Sequence, residues 1–74
     1  TGQVHITADS PFAEHPLGDT RARTRTGASI VAIVRNEQVL ASPGPGETLR
    51  AGDVLIVIGT EEGIAAVEQI IDKG

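Results

Sequence analysis

The sequence predicts a small α+β domain: a mostly antiparallel β-sheet, a short helix on the N-terminal side and a longer C-terminal helix packed on the sheet. Two apolar runs, residues 29–35 (SIVAIVR) and 54–58 (VLIVI), are typical of strands, and Pro and Gly residues that favour turns separate them. After the second run, apolar residues recur at helical spacing on one face: Ile64, Val67, Ile70 and Ile71. The 74 residues have room for one such domain, which we expect to span residues 1–74.

The first third of the chain predicts one strand and one short helix. Residues 3–7 alternate polar and apolar side chains, as in a half-buried strand with Val4 and Ile6 facing inward. Residues 17–24 predict a short helix that is anchored by its first residue, a leucine, and stopped by Gly27.

The central part of the chain predicts a β-hairpin. Asn36 and Glu37 form a tight turn between the first apolar run and a strand over residues 39–41. Pro43 and Pro45 end that strand, because proline has no N–H group to donate to a β-ladder.

The C-terminal part predicts a turn at residues 51–53, the last strand and then the last helix. Thr60 is the expected N-cap of this helix, and Glu61 and Glu62 lie in its first turn, where the helix dipole favours negative charge. Lys73 lies near the opposite end, where the dipole favours a cation.

Neither of the two apolar runs alternates with polar residues, so their side chains make both faces of the sheet apolar. The long helix covers one face. We expect the short helix near Leu17 to cover part of the other face and a second copy of the chain to cover the rest, because large exposed apolar surfaces are rare on monomers. The pattern therefore predicts a homodimer.

The composition argues against several classes of protein. The net charge is −4 and Phe12 is the only aromatic residue, so we expect no binding to nucleic acid, which needs a positive field. No run approaches the roughly 20 apolar residues of a membrane helix, and we expect no direct membrane insertion. The absence of cysteine agrees with a reducing, cytoplasmic setting. The chain does not begin with Met, and we expect it to be a fragment of a longer protein.

The sequence contains no recognisable catalytic or metal-binding pattern. His5, His15, Glu14 and Asp19 match no zinc-ligand spacing, and we interpret the histidines as surface residues of a strand and a loop. Residues 44–46 (GPG) lack the free N–H groups and the following helix of a phosphate-binding loop, so we interpret them as a rigid turn. No serine has a plausible base partner, and we expect no enzymatic activity.

Arginines cluster in one segment of this acidic chain. Residues 21–35 contain no acid and hold four of the six basic residues: Arg21, Arg23, Arg25 and Arg35. Thr24, Thr26 and Ser29 lie among them, and guanidinium groups with hydroxyls are typical of phosphate sites. From the residues alone, two interpretations stay open: solvated arginines or ion pairs with Asp19 and Glu37, or a site for a small phosphorylated ligand.

Three segments together resemble one known family in their order and spacing. They are residues 16–35 (PLGDTRARTRTGASIVAIVR), 42–45 (SPGP) and 51–64 (AGDVLIVIGTEEGI). They resemble the TrkA-C domain, also called RCK-C, which is the C-terminal regulatory domain of potassium transport proteins. Within that family the sequence is most similar to the KhtT-type regulatory subunits of bacterial potassium/proton antiporters, especially those of actinobacteria.

The resemblance implies a regulatory domain that senses a ligand and performs no chemistry. It implies a cytoplasmic homodimer that is peripheral to the inner membrane through a cation/proton antiporter subunit. Several members of the family bind cyclic di-AMP in the cleft between two such domains. A purely structural dimerisation module without its own ligand is the alternative. No cofactor is expected, because the dinucleotide-binding domain that accompanies many members is not in this sequence.

The resemblance also implies which residues contact the ligand. Arg35 and Asn36 match the family best by position, and three residues are candidates for apolar contacts with the bases: Ile30, Val31 and Pro43. The charge pattern adds three further candidates: Arg23, Arg25 and Thr26.

Overall fold

The computed structural model describes all 74 residues, Thr1–Gly74. Its elements are, in chain order, β1 (Gly2–His5), a 3₁₀ turn (Leu17–Thr20), α1 (Ala22–Thr26), β2 (Ser29–Arg35), β3 (Gln38–Ala41), β4 (Val54–Ile58) and α2 (Glu61–Lys73). The four strands form one sheet in the order β1-β4-β2-β3, and every neighbouring pair is antiparallel. The predicted α+β architecture is confirmed.

The predicted hairpin is present between β2 and β3. Asn36 and Glu37 both have positive φ, at 49° and 65°. Two successive left-handed residues give a turn whose twist matches that of the flanking strands. At the other edge, β1 ends at His5 although the alternation predicts a strand to residue 7. Beyond His5 the chain leaves β4, and Ile6 exchanges backbone hydrogen bonds with Gly52 and Asp53 in the turn before that strand.

The predicted short helix is broken into two pieces. Arg21 has φ 51° and ψ 35°, the left-handed region, and it separates the 3₁₀ turn from α1. The Thr20 hydroxyl donates to the Leu17 carbonyl and accepts from the Ala22 N–H, which satisfies the backbone without a continuous helix. α1 ends at Gly27, whose φ of 79° is the left-handed C-cap conformation expected of glycine.

One hydrophobic core lies between the sheet and the two helices. Its buried members come from every element except β3: Val4, Ile6, Leu17, Ala22, Ala28, Ile33, Leu49, Leu55, Val57, Val67 and Ile71. α1 contacts both α2 and β2, so both helices lie on the same face of the sheet. The expectation that the short helix covers part of the opposite face is therefore wrong. Its apolar residues Leu17 and Ala22 point into the core that α2 already covers.

The opposite face of the sheet is left open and apolar. Residues that pair directly across antiparallel strands share a face. The pairs on this face are Val34–Val54, Val34–Val39, Ala32–Ile56 and Ala32–Ala41. Ile58, at the end of β4, has half of its surface exposed, and Val39 has two thirds exposed. We refer to these seven residues of β2, β3 and β4 as the open sheet face.

The last helix is held by its cap and by its apolar side. The Thr60 hydroxyl accepts the N–H of Gly63 at 3.0 Å, which confirms the predicted N-cap. Val67 and Ile71 are completely buried. Ile64, which the helical spacing places on the same side, is only half-buried, because it packs at the margin of the core beside Gly2.

Truncating Val67 tests this packing. Val67→Ala should lower the free energy of unfolding by about 1–3 kcal/mol through lost burial and a residual cavity. Urea unfolding followed by circular dichroism measures the change. Glu68→Ala, at the adjacent exposed position, is the control and should stay within about 0.5 kcal/mol of the wild type. Equal stabilities of the two variants would contradict the placement of α2.

Candidate functional site

A concave pocket lies between the broken helix, the start of β2 and the segment after β3. Its volume is about 370 Å³, within the roughly 300–1,000 Å³ typical of small-molecule sites. Its lining comprises Leu17, Gly18, Thr20, Arg21, Ala22, Arg23, Thr24, Ser29, Ile30, Pro43 and Pro45. The lining carries two arginines and no acidic residue, although the whole chain has a net charge of −4. The pocket is therefore a basic site in an acidic domain.

A β-bulge turns Ile30 towards this pocket. Ile30 pairs with Val57 and Ala32 pairs with Ile56, so Val31 is an extra residue on β2. Val57 belongs to the covered face, and Ile30 shares that face because directly paired residues do. Strict alternation from Ala32 would have placed Ile30 on the open sheet face instead. Bulges commonly re-aim a side chain next to a functional site in this way.

The two pocket arginines have no anionic partner within the domain. Arg21 occupies the left-handed joint before α1, and Arg23 lies inside α1. None of the ion pairs in the structure, taken to a limit of 4.0 Å, involves either residue. A guanidinium group is a bidentate donor suited to phosphate. Two such groups beside the apolar surfaces of Ile30 and Pro43 suit a ligand that combines phosphate with a flat ring.

One wall of the pocket is formed by backbone contacts between two segments. The Leu17 N–H donates to the Glu47 carbonyl at 2.7 Å, and the Gly18 N–H donates to the Pro45 carbonyl at 2.8 Å. The approach is close: a Cβ atom on Gly18 would lie 3.0 Å from the Cβ of Pro45. This wall has little free space.

Arg35 lies outside the pocket lining, in a network at the opposite end of β2. Its Nε donates to Asp53 Oδ1 at 2.9 Å, and its Nη2 donates to Asp53 Oδ2 at 2.7 Å and to the Thr48 carbonyl at 2.9 Å. Its Nη1 donates to Glu47 Oε2 at 3.5 Å. The Asp53 side chain is 1% exposed, and it also accepts the Arg50 N–H.

The electrostatics of this network favour the charged forms of both partners. Burial alone would raise the pKa of Asp53, but hydrogen bonds from Arg35 and the Arg50 N–H, with both positive charges, outweigh burial and lower it. The hydrogen bond to Asp53 likewise raises the pKa of Arg35, against the effect of its own desolvation. The carboxylate therefore stays ionised and paired at neutral pH.

The predicted ligand residues do not form one site within a single chain. Arg23, Ile30 and Pro43 line the pocket together. Arg35 and Asn36 line a second, smaller cleft of about 120 Å³, shared with residues 50–53.

Three further predicted residues line neither cleft. Val31 is the bulge residue, Arg25 approaches the Gly74 carbonyl at 3.5 Å, and the Thr26 hydroxyl donates to the Ala22 carbonyl. The pocket also contains residues that the sequence interpretation left out of the site: Arg21, Thr24 and Ser29, which lie in the arginine-rich segment, and Leu17 and Pro45.

Ion pairs with Asp19 or Glu37 are part of one of the two open interpretations of the arginine segment. The structure shows neither pair, and Asp19 lies 3.8 Å from His15. Arg35 instead pairs with Asp53 and Glu47, which are distant in sequence. The structure contains no group of three or more His, Cys, Asp or Glu side chains that could hold a metal ion. None of its helices has the length and apolar character needed to cross a lipid bilayer.

Comparison with known families identifies the class of domain. The TrkA-C domain family matches residues 2–72. The chain therefore belongs to the TrkA-C family, as the sequence motifs indicate.

Curated relatives of the chain are potassium and ammonium transport proteins. The chain is 37% identical over 68 residues to a probable potassium channel protein of Methanocaldococcus jannaschii. It is 27% identical over 67 residues to the ammonium/H⁺ antiporter subunit AmhM of Alkalihalophilus pseudofirmus. The alignments cover 92% and 90% of this chain but only 20% and 40% of the relatives. The chain thus spans less than half the length of either protein.

Solved structures share the fold closely. The RCK_C domain dimer of S. agalactiae BusR in complex with c-di-AMP superposes with a TM-score of 0.84 at 27% identity, covering 95% of this chain and 92% of that one. The RCK C domain of the potassium transport protein KtrA, also in complex with c-di-AMP, gives 0.82 at 29% identity, covering 92% and 78%. The fold is that of RCK_C domains.

The Asp53–Arg35 pair makes stability depend on pH. Because folding lowers the pKa of Asp53, the unfolded chain takes up the proton first as the pH falls. The pair contributes its full stability at pH values well above 3.8, the ordinary pKa of the aspartate side chain. This stability is lost as the pH drops below 3.8 towards the lowered pKa. Urea unfolding should therefore show that the stability difference between wild type and Asp53→Asn is constant near neutral pH and shrinks below about pH 4.

The stabilities of wild type and Asp53→Asn at acid pH can also contradict this prediction. A stability difference that stays constant down to about pH 2.5 would mean that the ionised Asp53 contributes nothing to folding. Asp9→Asn, at an exposed turn position, serves as the matched control.

Proposed function

We propose that this domain is the ligand-sensing regulatory domain of a bacterial cation/proton antiporter and that it binds cyclic di-AMP between two copies of the chain. The observation that carries this function is the acid-free basic pocket in an acidic domain. Two structural neighbours above 25% identity are described as complexes with the same nucleotide. In this function the domain controls transport by changing conformation or rigidity on binding, and it performs no chemistry.

The pocket chemistry suits this ligand part by part. Arg21 and Arg23 would meet a phosphate, with the hydroxyl of Ser29 as a further donor. Ile30 and Pro43 offer apolar surface to an adenine ring. Cyclic di-AMP is itself two-fold symmetric, so two identical pockets related by a two-fold axis can each receive one half of it.

The second copy is supported by the open sheet face. This surface presents exposed Ile58 and Val39 beside the half-buried valine and isoleucine side chains of β2 and β4. Apolar patches of this kind on small soluble domains mark interaction sites. The BusR neighbour is described as a domain dimer. We assign the homodimer contact to this face.

The transporter is inferred from relatives and from the sequence motifs. AmhM is a subunit of an ammonium/H⁺ antiporter, and the motif order resembles KhtT-type regulatory subunits of potassium/proton antiporters. A domain of this kind acts in the cytoplasm, attached to the membrane only through the transporter. The structural-module alternative is favoured by one observation, the open sheet face, which needs a second copy whether or not a ligand binds.

Calorimetry distinguishes the sensor from the structural module. Cyclic di-AMP should bind with one ligand per two chains. Arg23→Ala should weaken binding by roughly ten- to a hundred-fold for each lost charged hydrogen bond, and symmetry removes that bond twice. Lys73→Ala makes the same charge change on α2, away from the pocket, and should leave affinity unchanged. Absence of heat with the wild type at tens of micromolar protein would leave the structural module as the function.

Sedimentation tests the dimer. The wild type should sediment at twice the chain mass at micromolar concentration, and Ile58→Glu should sediment as a folded monomer because it places a charge in the contact. Ala65→Glu, which adds the same charge at an exposed position of α2, should stay dimeric. A monomeric wild type, or a dimer that tolerates Ile58→Glu, would contradict the assigned contact.

A further inference from the structure

We propose that Arg35 is a positioning residue for the pocket: its guanidinium holds residues 45–48 in the conformation that forms one pocket wall, and it does not touch the ligand. Its effect on ligand affinity rests on the proposed function. Its effect on the wall itself does not, because the contacts that carry it are present in the domain without ligand.

Arg35 holds one side of residues 45–48 through hydrogen bonds. Its Nη2 donates to the Thr48 carbonyl, and its Nη1 approaches the Glu47 carboxylate. The guanidinium is itself fixed by the two oxygens of Asp53, which is buried and hydrogen-bonded to the Arg50 N–H. Movement of Arg35 would leave a buried carboxylate without its partner, which is strongly unfavourable. The contact with Thr48 is therefore rigid.

The other side of the same segment carries the pocket wall. The Glu47 carbonyl accepts the N–H of Leu17, and the Pro45 carbonyl accepts the N–H of Gly18. The Leu49 N–H donates to the His15 carbonyl, just before the 3₁₀ turn. Leu17, Gly18 and Pro45 all line the pocket. Because Leu17 and Gly18 are hydrogen-bonded to this segment, a shift of residues 45–48 must move the 3₁₀ turn or open the wall. Hydrogen bonds at both sides of residues 45–48, joined by the backbone of that segment, thus connect Arg35 to the pocket.

Direct contact between Arg35 and a ligand phosphate is disfavoured by the same geometry. A guanidinium group has five N–H donors. Four hydrogen bonds to protein acceptors already occupy Arg35. Its side chain is 21% exposed, and it lines the second cleft rather than the basic pocket. A bidentate contact with phosphate would require it to give up at least one of these four hydrogen bonds.

A double-mutant cycle separates positioning from contact. Arg35→Met, Asp53→Asn and the double variant are titrated with cyclic di-AMP after circular dichroism has verified folding. If Arg35 acts through the network, each single variant weakens binding at least about fivefold and the double variant is no worse than either, because one unit has been removed. Lys73→Met is the charge-matched control and leaves affinity unchanged.

If Arg35 contacts the ligand directly, the affinities of the three variants differ from this expectation. Asp53→Asn would then release the guanidinium, so binding would be unchanged or tighter, and only variants lacking Arg35 would lose affinity. That result overturns the positioning role. If Arg35→Met alone does not fold, the ligand affinities of Asp53→Asn and of the double variant, which lacks both charges, are compared instead. Equally weakened binding in the two supports positioning, and unchanged binding by Asp53→Asn overturns it.

Amide chemical shifts of the ligand-free protein test the wall independently. Asp53→Asn should shift the amide signals of Gly18, Gly44 and Gly46 as well as those near the substitution, and leave α2 unchanged. Shifts confined to residues 50–53 would overturn the proposal. If the wild type binds no cyclic di-AMP, the proposed function fails, while the glycine shifts still decide whether Arg35 positions the wall.

Discussion

The ion pair between Arg35 and Asp53 is the interaction on which the rest of this domain depends. Arg35 ends β2 and Asp53 precedes β4, so the pair joins the two central strands at one end of the sheet. The same guanidinium holds the Thr48 carbonyl, which places the long connection between β3 and β4. Removing one partner of a fully buried pair costs about 3–5 kcal/mol, and this pair, with Asp53 buried and Arg35 partly exposed, lies below that upper range. In a domain this small, that is a large share of the total stability.

The two faces of the sheet have different roles. One face is filled by α1, α2 and the 3₁₀ turn, and it contains the whole core. The other is apolar but uncovered, which is consistent with a domain that reaches full stability only in an assembly. The basic pocket lies at the boundary of the covered face, where the bulge at Val31 and the left-handed joint at Arg21 interrupt regular structure. Two interruptions of regular backbone thus lie beside the proposed ligand site.

Local signals in the sequence predicted most of the fold. The apolar runs, the turn at Asn36 and the cap at Thr60 act over a few residues, and all three are present. The site was harder to predict because its geometry depends on distant contacts. Sequence proximity suggested Asp19 or Glu37 as ion-pair partners, but a buried carboxylate 18 positions from Arg35 accepts its hydrogen bonds. The sequence places Arg21 in the arginine-rich segment, but its position in the pocket depends on the break between the 3₁₀ turn and α1.

The basic pocket, rather than the smaller cleft that Arg35 lines, is the proposed place of the ligand. Titration of isotopically labelled protein with cyclic di-AMP, followed by amide chemical shifts, tests this most directly. We expect the largest shifts at Gly18, Arg23 and Ile30, with small changes along α2. Largest shifts at Asn36 and Gly52, with Gly18 unmoved, would contradict the claim and place the ligand in the smaller cleft.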